Sequence, residues 1–326
     1  MAETWGGPLW RAADLYTPMA LRVAATLRVA DAIAAGVTTG PALAARLGVA
    51  EDPLVRVLDH LVTAGFLSGD DGSYALTDDG QWLRDDHPER VRSQIDLTGA
   101  IGRADLSAVE LLHTVRTGEA AFPQRFGHGF WEDLAAHPEV AESFDRTMGS
   151  QEVAEVAAAY DWAALGDVID VGGGDGTLLI GLLTAHPSLR GTVIDLPAPA
   201  TTAEKALRAA GLADRGRALT GSFFDPLPGG AGGYVLSRVL HDWSDADAAR
   251  ILANCARGGP VIVIEEANGG VINTEMNLRM LAYCLGRERT VDQLVHLARG
   301  AGLAPGRVVS TGYRDVIELL PAPAPS

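Results

Sequence analysis

His241 and Glu265 are the pair of side chains best placed to do chemistry together. His241, in His241-Asp242-Trp243, follows the apolar run 234–237, and Glu265 ends the run Val261-Ile262-Val263-Ile264. Each stands where a strand gives way to a loop. In open α/β sheets, ligands collect outside the carboxyl ends of the strands, so both residues are expected to face one cleft although far apart in sequence. A neutral imidazole there can take a proton as an oxygen attacks, typically contributing about 10²–10⁴-fold. Asp242 is expected to point away from His241, because adjacent residues on an extended segment face opposite ways.

A second group of residues suits a bound cofactor. Asp170-Val171-Gly172-Gly173-Gly174-Asp175-Gly176-Thr177 joins a short apolar run, 168–171, to an apolar helical stretch, 178–185. Glycines 172, 174 and 176 permit a tight turn and close approach of a ligand to the backbone, and the helix start offers unpaired N–H groups. A dinucleotide fingerprint, G-x-G-x-x-G, would need glycine at 177, where threonine stands. Asp195, closing the run Val193-Ile194-Asp195, can accept hydrogen bonds from both hydroxyls of a ribose. Ser222-Phe223 offers a polar contact and an aromatic face, which suit adenine.

The elements that must position these residues follow from periodicity. Short apolar runs at 168–171, 192–196, 217–219, 234–237 and 261–265 alternate with helical stretches, the pattern of a parallel sheet covered by helices. Runs at 307–310 and 315–320 around Gly312 read as a closing hairpin, giving a doubly wound sheet with an antiparallel last strand. Ahead of it, a helix over 8–35 is expected to break at Thr17-Pro18 and stop at Gly36. Helices over 40–47 and 52–64 follow, then a hairpin turning at 69–72. That order is winged-helix-like. Three divisions result: a helical domain at 1–95, a helical linker at 96–160 that contributes to the substrate pocket, and a cofactor-binding domain at 161–326. The cluster Phe122, Phe126, Phe130 and Trp131 is either core or pocket wall.

Composition narrows the function classes. With 26 Lys+Arg against 42 Asp+Glu, the net charge is −16. That field, and an acidic third helix, argue against a nucleic-acid partner. Cys255 and Cys284 form no disulfide framework. With no apolar run near the ~20 residues of a membrane helix and no leader-like start, a cytoplasmic protein without a membrane partner is expected.

Together the motifs resemble the S-adenosylmethionine (SAM)-dependent small-molecule O-methyltransferases with an N-terminal winged-helix dimerisation domain. The matching stretches are VIDVGGGDG (168–176), VIDLP (193–197), GSFFDPLP (221–228), VLHDWSD (239–245), IEE (264–266) and GRERT (286–290). The naphthoate-methylating branch, of the neocarzinostatin type, is similar through residues 11–31, FWEDL (130–134) and YDWAALG (160–166). The resemblance implies a class I, Rossmann-like methyltransferase sheet, a homodimer formed through the N-terminal domain, SAM as cofactor with S-adenosylhomocysteine (SAH) as product, and no metal. It implies that Asp170, Gly172, Gly174, Asp195, Ser222, Phe223, Ser237 and Trp243 hold the cofactor. His241 takes the general-base position, with Glu265 and Glu288 beside it to orient the ring. Arg11, Phe144, Met148 and Arg279 fall among contacts to a small aromatic substrate. Arg11 suits a substrate carboxylate through its forked guanidinium, and Arg279 faces either the cleft or an acidic neighbour.

The chain departs from the family pattern in places. Ser222 stands where Asp is frequent, Leu285 replaces one of two glycines, and the loop after Glu265 is short and lacks a proline. Alternatives of other classes remain: a SAM-binding relative performing hydroxylation, decarboxylation or C-methylation, and a SAM-responsive winged-helix regulator.

Overall fold

The computed structural model describes residues 7–70, 72–148, 153–267 and 271–322. The chain divides into two compact units, Met1–Leu106 with His137–Thr147, and Ser107–Ala136 with Met148–Ser326. The packing therefore does not follow the divisions at 95 and 160. Helix Pro138–Met148 lies almost wholly in the first unit. There its Ser143 hydroxyl accepts a hydrogen bond from the Ala100 backbone at 2.7 Å.

In the first unit, helices Gly7–Ala12, Tyr16–Leu27, Val29–Ala34, Gly40–Leu47 and Glu51–Thr63 precede a hairpin of β1 (Leu67–Asp70) and β2 (Ser73–Leu76). Asp71 of its turn lies outside the described residues. The expected break at Thr17-Pro18 falls earlier, because Asp14 and not Thr17 supplies the cap: the Tyr16 and Thr17 amides each donate to its carboxylate at 2.9 Å. Pro18 then occupies the first turn, where no N–H is needed. A second, unexpected break comes at Arg28, a non-glycine residue at φ 58°, whose guanidinium reaches Asp85 at 2.6 Å. Leu43, Leu58 and Leu61 are fully buried at the centre of this unit.

The second unit is built on a sheet of β3 (Asp167–Val171), β4 (Arg190–Asp195), β5 (Gly216–Thr220), β6 (Gly233–Ser237), β7 (Val261–Glu265), β8 (Leu303–Ser310) and β9 (Asp315–Pro321). Their order is β5-β4-β3-β6-β7-β9-β8. β3 to β7 pair in parallel, whereas β9 runs antiparallel between β7 and β8. The expected closing hairpin is present, and its second strand is the one that enters the sheet. In β7, Val261, Ile262, Val263 and Ile264 are all fully buried, at about 1.5–3 kcal/mol of transfer free energy each. Helices cover both faces, so the central strands read as continuous apolar runs.

The aromatic segment joins this unit as core. Phe122 and Phe130 are buried, and Phe130 stacks on Tyr283 with centroids 5.6 Å apart.

Candidate active site

The carboxyl edge of β3, β4, β6 and β7 gathers most of the expected site residues. After β3 the chain turns through Gly172, Gly174 and Gly176, all with positive φ, into helix Thr177–Ala185. A Cβ at Gly172 would come within 2.9 Å of Val239 and 3.4 Å of the Phe223 ring, so only glycine leaves the turn this close to its neighbours. The Gly174 amide donates to Asp195 Oδ2 at 2.8 Å and the Leu196 amide to Oδ1 at 2.6 Å. Burial raises the Asp195 carboxyl above its ordinary range against the pull of these two bonds. Each of its oxygens keeps a further lone pair for a ribose hydroxyl.

Asp170 is different. It is 1% exposed, and neither carboxyl oxygen has a hydrogen-bond partner among the described residues. Burial, reinforced by Asp195 and Asp175, pushes it up to about 7. An unpartnered buried carboxyl beside a glycine turn fits the ammonium end of an amino-acid-like cofactor such as SAM. Phe223 and Trp243 continue the wall of this side, edge to face at 5.6 Å. The Ser222 hydroxyl accepts from the Phe224 amide at 3.2 Å, and Ser237 ends β6, paired with Ile264.

His241 sits on the short turn Leu240–Asp242 that follows β6. Its Nδ1 donates to Glu288 Oε1 at 2.9 Å, and both side chains are nearly buried. That bond leaves Nε2 as the acceptor in the neutral ring. Glu265 acts otherwise than expected: its Oε1 accepts from the Leu240 backbone at 3.0 Å, so it holds the turn and not the ring. The expectation for Asp242 also fails, because the segment is a turn and not extended. Its Oδ1 lies 3.5 Å from His241 Nε2.

Burial alone would depress the basicity of His241. The charges of Asp242, Glu265 and Glu288, with the Glu288 hydrogen bond, outweigh it and lift the imidazole to about 9. Burial raises the carboxyls in turn, Glu265 to about 6 and Asp242 above its ordinary range.

Two residues not singled out by sequence complete the cluster. Asn277 Oδ1 accepts from the Glu288 backbone at 3.0 Å. Arg289, 5% exposed, donates to the carbonyls of Leu240 at 2.6 Å and Trp243 at 2.7 Å. The available signal was the place of Arg289 beside Glu288 in the GRERT stretch. Leu285 lies at φ 60°, a conformation in which a glycine is at ease, and closes helix Thr274–Cys284. A Cβ at Gly286 would come within 2.2 Å of the His241 carbonyl.

Arg279 pairs with Glu275 one turn back at 2.8 Å, the acidic-neighbour alternative. Arg11, exposed on helix Gly7–Ala12, and Phe144 belong to the first unit, and Met148 begins the second segment of the other. In the loop after Glu265, residues 268–270 lie outside the described residues.

Comparison with known proteins identifies the family. Residues 10–86 match an O-methyltransferase dimerisation domain, and residues 109–304 match an O-methyltransferase domain. The chain is 50% identical over 316 residues to 2,7-dihydroxy-5-methyl-1-naphthoate 7-O-methyltransferase of Streptomyces carzinostaticus, covering 94% of this chain and 95% of that one. It is 43% identical over 307 residues to aclacinomycin 10-hydroxylase RdmB of Streptomyces purpurascens, covering 89% and 82%. The crystal structure of NcsB1, an O-methyltransferase from neocarzinostatin biosynthesis in complex with SAM and 2-hydroxy-5-methyl naphthoic acid, matches with a TM-score of 0.93. That match has 49% identity and covers 98% of this chain and 100% of that one. The chain therefore belongs to the O-methyltransferase family, with the family's dimerisation domain ahead of its methyltransferase domain.

Proposed function

We propose that the protein is a SAM-dependent O-methyltransferase that methylates a phenolic hydroxyl of a hydroxynaphthoate-like aromatic acid, with His241 as general base. The observation that carries this reading is the buried His241–Glu288 pair, 2.9 Å apart, at the sheet edge that also bears the glycine turn and the unpartnered Asp170 carboxyl. When bound, SAM supplies a methyl already activated on a sulfonium, so the acceptor hydroxyl is the group in need of help. A phenol near pKa ~10 is mostly protonated at neutral pH. The carboxylates around His241 raise its basicity, so its neutral form is a strong acceptor for that proton at Nε2. Glu288 fixes the ring through Nδ1, and Asp242, beside Nε2, favours the imidazolium that forms. Asp170 and Asp195 orient the cofactor, and the apolar surroundings exclude water.

The likeness to the naphthoate enzyme extends the proposal to the acceptor. Arg11 pairs with a substrate carboxylate, and Phe144 and Met148 pack against the rings. The first unit forms a homodimer, consistent with the exposed Leu9, Trp10, Leu15 and Tyr16 on its first helices. No helix among the described residues is long and apolar enough to cross a membrane, which accords with a cytoplasmic enzyme.

The decisive experiment is His241→Ala. Turnover with a hydroxynaphthoate and methyl-labelled SAM falls by at least ~10²-fold while SAH affinity is retained; undiminished turnover removes the base assignment. The likeness to a 10-hydroxylase supplies the second reading, and product lacking the labelled methyl would favour it.

A further inference from the structure

We infer that Arg289 is a positioning residue that sets the base and the aromatic wall of the cofactor side as one unit. This rests on His241 being the base. The guanidinium is buried, with Nη1 on the Leu240 carbonyl at 2.6 Å and Nη2 on the Trp243 carbonyl at 2.7 Å. These two carbonyls bracket His241 and Asp242 in the chain. Nε is held by Asp245 at 3.0 Å, so all three nitrogens of the fork are committed, and the fork is rigid.

The neighbouring backbone continues the same seam. The Arg287 amide donates to the His241 carbonyl at 2.8 Å, Glu288 takes the ring nitrogen, and Glu265 takes the Leu240 amide. Leu240 is thus pinned through its N–H from β7 and through its C=O from Arg289. Trp243, whose carbonyl Arg289 also holds, packs on Phe224 at 4.8 Å and on Phe223 at 5.6 Å. Phe223 in turn closes on Gly172 of the glycine turn. With its nitrogens committed to Leu240, Trp243 and Asp245, Arg289 acts through its neighbours: it fixes the distance between the proton acceptor and the wall against which adenine is proposed to lie. A lysine, a compact ammonium on a flexible stem, lacks the planar fork whose separate nitrogens reach Leu240, Trp243 and Asp245 together.

The test is Arg289→Lys in the full chain, with Asp245→Asn as a milder variant that loosens the fork from its exposed partner. Arg289→Lys is expected to lower kcat about 10–10²-fold with acceptor KM changed less than about threefold. The rising limb of the kcat/KM–pH profile is expected to move by at least half a pH unit, and SAH binding by calorimetry to weaken about 3–10-fold. Asp245→Asn is expected to shift the same three quantities the same way by less. Wild-type kcat, pH limb and SAH affinity in folded Arg289→Lys would overturn the inference, as would a loss of kcat that leaves both the limb and SAH affinity untouched. If Arg289→Lys does not fold, an unshifted Asp245→Asn overturns it. Retained activity in His241→Ala would instead overturn the underlying base assignment, and the two failures are distinguishable.

Discussion

The two sides of the catalytic edge are finished to different degrees. Around His241, the ring and its turn are tied within the protein, Nδ1 on Glu288, the Leu240 amide on Glu265, and the Leu240 and Trp243 carbonyls on Arg289, although the buried Arg238 Nε nearby has no partner among the described residues. Around the glycine turn, Asp195 is held by two backbone amides, yet Asp170 is buried with neither oxygen partnered among the described residues. The chemical side is preorganised, which removes reorganisation from the reacting step. On the proposed reading, the cofactor side is left for a ligand bearing a positive group to complete. Cofactor binding and catalytic geometry, on that reading, rest on adjacent sets of residues, joined through Arg289.

Apart from those at Arg289, which is proposed to span both, substitutions should fall on one side or the other. The largest effect is expected from His241→Ala, which strikes turnover alone. Next comes Glu288→Gln, with kcat reduced roughly 10–10³-fold, within the span of a base's contribution, and SAH affinity kept. Its pH profile carries the sign. Because His241 is lifted to about 9, the neutral, competent form grows as pH rises, and wild-type kcat/KM should climb until near pH 9. Removing the Glu288 charge lowers the imidazole, so the limb moves to lower pH. The acceptor's own ionisation would leave the limb where it was. The same lift makes protonated His241 stabilising below its unfolded value near ~6.5, and that stability is lost as pH rises through 9.

Asp170→Asn should act in reverse on the other side. SAH affinity is expected to fall about tenfold, or ~1.4 kcal/mol, measured by calorimetry, while the ligand-free protein becomes more stable. Folding raises this carboxyl from 3.8 to about 7. Its contribution is therefore favourable at acid pH and is lost as pH climbs across that interval, so the gain in Tm should be read at pH 8. About 2–4 °C per kcal/mol is the expected scale. A variant that binds SAH normally and gains nothing would erase the distinction between the two sides.

The smallest effect is expected from Leu285→Gly. It relieves a left-handed leucine costing ~1–2 kcal/mol but adds chain entropy of ~0.5–1 kcal/mol. The net should be a gain of about 0.5–1 kcal/mol in thermal or urea unfolding, with SAH affinity unchanged.

Much of the sheet could be read from the residues because buried parallel strands are continuous apolar runs, and those at 168–171, 234–237 and 261–265 fall inside β3, β6 and β7. The helical region was less readable. Breaks there depend on single side chains: Asp14 reaching two amides, or Arg28 adopting a left-handed turn. At the site, residue types at strand ends marked His241, Glu265 and Asp195, since strand ends define the cleft. What each carboxylate touches was not readable. Glu265 turned to a backbone amide, and Asp242 approached the ring, because a few degrees of turn geometry decide such contacts.

The insertion of β9 between β7 and β8 bears on how the enzyme matures. β9 is the last of the sheet strands to be synthesised, yet it pairs with β7 so that Asp315 lies opposite Glu265. During translation, the strand that presents Glu265 therefore has an open edge until residues 315–321 emerge and slot in. A chain stopped before residue 315 would leave that edge unpaired, and an unpaired strand edge is a template for pairing with other chains. The edge that presents Glu265 is thus completed by the last of these strands in the chain.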